Sequence, residues 1–142
     1  VTGAGVLLDT CAVIWLANGE PMAPPALAAI QAAGEGPGIH VSPVSAWEIG
    51  LLSRPRGQRQ PMTFAPDPKT WFARFMAAPG IREAPLTTGI AVDASWLPGD
   101  LHGDPGDRLI IATARDRGLT IITRDRLILA YGATGHVSVL GC

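Results

Sequence analysis

Four carboxylates stand at the ends of apolar runs, and their placement is the strongest chemical signal in the chain. Asp9 closes Gly-Val-Leu-Leu-Asp, Glu48 sits in Ser-Ala-Trp-Glu-Ile-Gly, Asp107 opens Asp-Arg-Leu-Ile-Ile-Ala-Thr-Ala, and Asp125 follows Thr-Ile-Ile-Thr-Arg. A carboxylate beside an apolar run is costly to bury unless something neutralises it. If the fold gathers the four, each pair at ~4 Å repels by roughly 4 kcal/mol at an effective dielectric of ~20. A divalent cation offsets that repulsion. Hard cations take oxygen ligands, so an all-carboxylate cluster points to Mg²⁺ or Mn²⁺ rather than zinc. The chemistry such a cluster supports is metal-assisted phosphodiester hydrolysis.

The elements that must position these acids follow from pattern and punctuation. Val6 to Leu8 reads as a buried strand ending at Asp9, and Thr10 to Ala17 as a helix capped by Asp9 or Thr10. Pro24-Pro25 opens a second helix through Ala33, a Gly/Pro cluster turns the chain, and Ile39 to Val41 is a second strand. Ser42 or Ser45 caps a helix to about Ser53, and Ser45-Ala-Trp-Glu has capping-box spacing, an alternative and purely structural use of Glu48. Arg54 to Pro66 reads as a loop carrying Arg54, Arg56 and Arg59. Asp67 to Ala77 is a helix whose Trp71, Phe72, Phe75 and Met76 form an apolar stripe, read as packing rather than a base-stacking platform. A third strand spans Ile81 to Leu86, and a helix from Thr87 or Thr88 runs to about Trp96. An irregular loop over Leu97 to Gly106 leads into a helix over Asp107 to Arg117. A strand over Leu119 to Thr123, a short helix over Arg124 to Ala130 and a strand over Val137 to Leu140 complete the chain. Alternating strands and helices predict a three-layer α/β fold, its mostly parallel sheet flanked by helices. Such sheets form sites at the carboxyl ends of their strands, where the four acids can converge.

Composition agrees with this reading. The 142 residues suit a single domain, 1–142, with Val-Thr-Gly-Ala-Gly as a terminus outside its core; 47% are hydrophobic and 16% charged, as in a globular chain. No apolar run approaches the ~18–20 residues that span a bilayer, so a cytoplasmic, non-membrane protein is expected. The net charge is −1, but with Asp9, Glu48, Asp104, Asp107 and Asp125 set aside as site candidates, seven acids face eleven bases, ten of them Arg. Arg matches phosphate geometry, so this balance permits RNA binding without demonstrating it. Cys11 and Cys142 form neither a disulfide framework nor a zinc motif; Cys11 reads as a small hydrophobe before it reads as a nucleophile.

Four segments together resemble the PIN-domain ribonucleases, of the VapC type found in bacterial toxin–antitoxin modules. They are Leu7-Leu-Asp-Thr-Cys-Ala-Val-Ile-Trp-Leu, Val41-Ser-Pro-Val-Ser-Ala-Trp-Glu-Ile, His102 to Ala114, and Ile121-Ile-Thr-Arg-Asp, in family order and covering about residues 6 to 140. The resemblance places the family's acidic quartet on Asp9, Glu48, Asp107 and Asp125, an additional acid on Asp104, and polar supporting positions on Thr123 and Thr10. It implies a PIN-like fold and Mg²⁺-dependent endoribonuclease activity, with Mn²⁺ as a substitute. Asp9, Asp107 and Asp125 would hold metal, and Glu48 would complete the site by ligation or by orienting the attacking water. A cation in such a site lowers the pKa of water and stabilises the leaving oxygen, so no histidine base is needed. His40 and His136 then take structural or surface roles, and His102 a possible substrate contact. Arg108, Arg124, Arg54 and Arg56 are candidate RNA phosphate contacts, or they balance local charge. Gly106 stands where many relatives carry a bulky residue, which bears on packing or loop mobility and not on the acids. A VapB-type antitoxin and a homodimer are further implications. Val13 to Leu16 and Ala23 to Ala33 could supply an interface, though core packing explains them equally well.

Two other readings compete. Asp9-Thr10 at a strand end resembles haloacid-dehalogenase-type phosphatases, but those need a second Asp where this chain has Cys11. In a non-enzymatic α/β interaction module, the acids would be dispersed caps and surface charges.

Overall fold

The computed structural model describes residues 5–101 and 103–142. The terminal residues 1–4 and the candidate His102 lie outside the described residues.

The first strand, β1 (Val6–Leu8), leads directly into α1 (Thr10–Ala17), followed by α2 (Pro24–Gly34) and β2 (Ile39–Val41). Next come α3 (Pro43–Leu52), α4 (Pro68–Met76), β3 (Ile81–Glu83) and α5 (Thr88–Ser95). The chain ends with α6 (Pro105–Arg117), β4 (Thr120–Thr123), α7 (Arg126–Ala133) and β5 (Val139–Gly141). The sheet order is β3-β2-β1-β4-β5 and every pairing is parallel. The sheet is thus wholly parallel where the sequence suggested mostly parallel.

Both faces of the sheet's centre are covered, which is why β1 is continuously apolar rather than alternating, whereas the edge strand β3 carries the exposed Arg82 and Glu83. Leu7 and Ile121 point into one core with Ile90, Ile110, Ile111 and Ile128. Val6, Leu8 and Ile122 point into the other with Val13, Ile30, Ile49 and Phe64. Val13, Ile14, Ala26, Ile30 and Ala33 are buried in this second core, Trp15 and Leu16 are half-buried against it, and Leu27 is exposed. The stripe on α4 packs there too: Trp71 meets Phe64 edge-on at 5.0 Å and stacks with Phe75 at 6.1 Å.

Several boundaries differ from the sequence reading. α6 begins at Pro105, because Asp104 caps it and a proline suits its first turn. α7 begins after Asp125 for the same capping reason and runs on to Ala133. β3 ends at Glu83 instead of Leu86, β4 starts at Thr120, and β5 lies two residues later than its expected start. The cap of α3 is Ser42, whose hydroxyl accepts the Val44 N–H at 3.0 Å, with Pro43 at the first helical position. Ser45 is therefore inside the helix, and the capping box that would have used Glu48 does not form.

Candidate active site

The chain builds β1, β2 and β3 to one side and then crosses to place β4 on the other side of β1. The carboxyl ends of β1 and β4 therefore flank the point where strand order reverses, the usual crevice for a site in an open parallel sheet. Asp9 follows β1 immediately and caps α1, its Oδ1 accepting the Ala12 N–H at 2.8 Å. Asp125 lies two residues past β4 and caps α7, its Oδ1 accepting from Leu127 N at 2.8 Å and Ile128 N at 3.1 Å. Thr123 ties the two together. Its buried hydroxyl donates to Asp9 Oδ2 at 2.5 Å and accepts the Asp125 N–H at 2.9 Å.

The other two acids arrive on helices packed around this crevice. α3 lies against both α1 and α6, which carries Glu48 between Thr10 and the first turn of α6. The Thr10 hydroxyl donates to Glu48 Oε1 and stands 3.1 Å from the Ser45 hydroxyl. Asp104 caps α6 by accepting the Asp107 N–H at 3.0 Å, and Asp107 lies in that helix's first turn. Gly106 is buried between them, and a Cβ there would meet Glu48 Oε2 at 2.5 Å and Asp104 Oδ1 at 3.4 Å. The missing side chain at Gly106 thus makes room for a site carboxylate, which corrects its reading as a matter of packing or mobility alone.

Asp9, Glu48, Asp107 and Asp125 line one cavity of about 500 Å³, together with Thr10, Cys11, Trp15, Leu51, Leu52, Ile110 and the arginines Arg56, Arg59 and Arg124. Burial pushes the Asp9 carboxyl up to about 6; its bonds to Thr123 and Ala12 hold it down, while Asp107 and Asp125 push it further up. Burial also raises Glu48, against the Thr10 bond and with added repulsion from Asp107, Asp104 and Asp9. Asp9 is therefore within electrostatic reach of Asp107 and Asp125, and Glu48 of Asp107, Asp104 and Asp9. Among the described residues, no three His, Cys, Asp or Glu side chains are already arranged to hold a metal ion. The donor chemistry nevertheless fits a hard divalent cation. All four donors are carboxylates, and Mg²⁺ keeps several waters and needs only one or two protein carboxylates.

Cys11 is exposed on the cavity wall, not buried as a small hydrophobe, and its thiol is pushed up to about 11 by desolvation and then by the surrounding acids. A thiol so far from ionisation is a poor nucleophile. Of the candidate phosphate contacts, Arg56 and Arg124 line the cavity, whereas Arg54 and Arg108 do not. Arg108 instead donates through Nε to the Ala94 carbonyl at 2.9 Å, joining α6 to the end of α5. Arg59 lines the cavity but was not singled out as a contact. It faces the carboxyl end of α3, with Nη1 at 3.3 Å from the Leu52 carbonyl and Nη2 3.4 and 3.3 Å from those of Leu51 and Arg54. Trp15 on the cavity wall was also missed. The available signal was its spacing from Cys11, four residues on and so on the same helix face. His40 is buried on β2, and His136 lies 5.4 Å from the Tyr131 ring; neither lines the acid cavity.

The sequence matches the PIN domain family over residues 6–133. It is 30% identical over 135 residues to Ribonuclease VapC22 of Mycobacterium tuberculosis, covering 94% of this chain and 97% of that protein. Among solved structures it resembles VapBC2 from Rickettsia felis bound to a DNA fragment from its promoter, with a TM-score of 0.65, 13% identity, and coverage of 96% of this chain and 97% of that one. DNA-bound VapBC from Salmonella typhimurium is similar to the same degree, with a TM-score of 0.65, 14% identity and the same coverage. At these identities the structural likeness speaks for the fold.

Proposed function

The chain belongs to the PIN domain family, and on that premise we propose that it is a divalent-metal-dependent endoribonuclease, the toxin of a VapBC-type module. The observation that carries this reading is the convergence of Asp9, Glu48, Asp107 and Asp125 on one cavity at the strand-order reversal. The ribonuclease name of the relative above supports the choice of RNA as substrate.

Asp9, Asp107 and Asp125 would hold the cation, preferably Mg²⁺, and Glu48 would complete the set. When bound, the cation supplies a lowered pKa for water and charge stabilisation at the phosphoryl and leaving oxygens. The protein's own residues do the positioning. Thr123 fixes Asp9 and the backbone of Asp125, and Thr10 holds Glu48 in the space that Gly106 leaves open. Trp15, Leu51, Leu52 and Ile110 wall the cavity with apolar surface, which strengthens each charge interaction inside it. Arg56 lines the cavity and makes no side-chain hydrogen bond among the described residues, so its guanidinium is available to pair with an RNA phosphate. Glu48, where it does not hold the ion, orients the water that attacks phosphorus as the P–O bond to the leaving nucleotide breaks. A VapB-type antitoxin is the partner this reading requires, and its role is to cover the cavity. No helix among the described residues is long and apolar enough to cross a membrane.

The test is incubation of the purified, antitoxin-free chain with total bacterial RNA in Mg²⁺ or in EDTA, beside Asp107→Asn. Discrete fragments that require both Mg²⁺ and Asp107 are expected. Cleavage that persists in EDTA, or in Asp107→Asn, would refute the mechanism.

A further inference from the structure

The cavity rim carries a feature that metal-ion chemistry does not use. Arg124 sits over Trp15, its Cζ 3.9 Å from the ring centroid. The same guanidinium donates through Nη2 to the Pro21 carbonyl at 2.7 Å. A surface arginine ordinarily samples many rotamers, and two anchors at right angles in chemical kind, one a π face and one a carbonyl, remove that freedom. Trp15 itself is seated by its packing against the second core, so the pair rests on a rigid base. Arg124 is exposed, and both residues line the cavity that holds the acids. Arg124 is also the neighbour of Asp125, so whatever meets it lies directly beside the proposed reaction centre.

Resting on the nuclease reading above, we propose that Trp15 and Arg124 form a subsite for one unpaired nucleobase of the substrate, stacked on the outer face of the Arg124 guanidinium. Proteins that act on single strands stack splayed bases on aromatic rings and on guanidinium planes, and the base needs no sequence identity to do so. A phosphate clamp is the simpler use of an arginine, but it does not need a guanidinium anchored both over an indole and on a carbonyl. Holding one plane in advance is what stacking requires. The substrate class is then single-stranded RNA, or the loop of a folded one, since a paired base cannot leave its stack without cost. Arg56, on the opposite loop, is left for the phosphate.

The test uses the full chain and a short fluorescein-labelled single-stranded RNA that the protein cleaves in Mg²⁺. Binding is read by anisotropy in EDTA and cleavage as kcat and KM in Mg²⁺. Arg124→Lys keeps the charge and loses the plane, and Trp15→Leu removes the support. Each should weaken binding about tenfold, the scale of one lost stack, with KM rising more than kcat falls. RNA carrying an abasic residue beside the scissile bond should bind the unaltered protein as weakly, and Arg124→Lys should add nothing further. Tight binding and unchanged KM in both variants, or equal cleavage of duplex and single strand, would overturn the subsite while the nuclease stands. If the unaltered protein cleaves no RNA in Mg²⁺, the nuclease reading fails and this inference fails with it.

Discussion

Asp9 shows how one side chain can hold the fold together and be destabilised by it at once. It caps α1 and meets Thr123, yet burial and two neighbouring acids raise its carboxyl from 3.8 to about 6. For an acid raised on folding, the neutral form suits the folded state, so stability is fully present near pH 4 and is lost as pH rises through 6. Asn keeps the cap and carries no charge. Without metal, Asp9→Asn should therefore melt at the same temperature as the unaltered chain near pH 4 and above it at pH 8, by about 2–3 kcal/mol of stability. A variant no more stable at pH 8 would show that the carboxylate is not strained by its surroundings. Gly106 gives a second residue-scale prediction. Alanine at this helical position should gain roughly 0.5–1 kcal/mol from backbone entropy, but its Cβ falls where Glu48 Oε2 now lies. The carboxylate tip can move, so the melting temperature should change little. Metal-dependent cleavage should fall between about tenfold and 100-fold because Glu48 is misplaced. Full activity in Gly106→Ala would separate Glu48 from the chemistry.

At the scale of elements, the loop between α3 and α4 divides its labour between two arginines. Arg56 and Arg59 close a small antiparallel bridge through Gly57, whose φ of +59° favours glycine. Arg59 donates to the carbonyls at the end of α3, and Arg56 makes no side-chain hydrogen bond among the described residues. Arg59→Ala should accordingly lower the melting temperature slightly, by less than about 1 kcal/mol since the contacts are long and exposed. Arg56→Ala should leave it unchanged and flatten the salt dependence of RNA binding by about 0.7 in log–log slope. The reverse assignment would remove Arg56 from the interface. These elements were only partly legible beforehand. The helices and strands themselves were, because capping residues and apolar runs are local signals. The choice of Ser42 over Ser45 as cap was not, because it turned on Pro43 and on where α1 lies. Nor was the fate of Arg108, since only the packing of α5 on α6 brings Ala94 to its guanidinium. Gly106 was seen as unusual, but its tenant, Glu48, is 58 residues away along the chain, and no local pattern records that contact.

At the scale of the whole molecule, the site is assembled across the sheet rather than within any one segment. Asp9 and Glu48 come from the first half of the chain, Asp107 and Asp125 from the second, and the β1–β4 pairing joins the halves. The exposed stretch from Arg54 to Thr63 falls between the two pairs of acids. A single cut there would leave β1 and β2 on one fragment and β3, β4 and β5 on the other, each with two of the four cavity acids. The protein is in that sense a natural two-part device: neither piece carries all four acids, and on the proposed function RNA cleavage would report the meeting of the two.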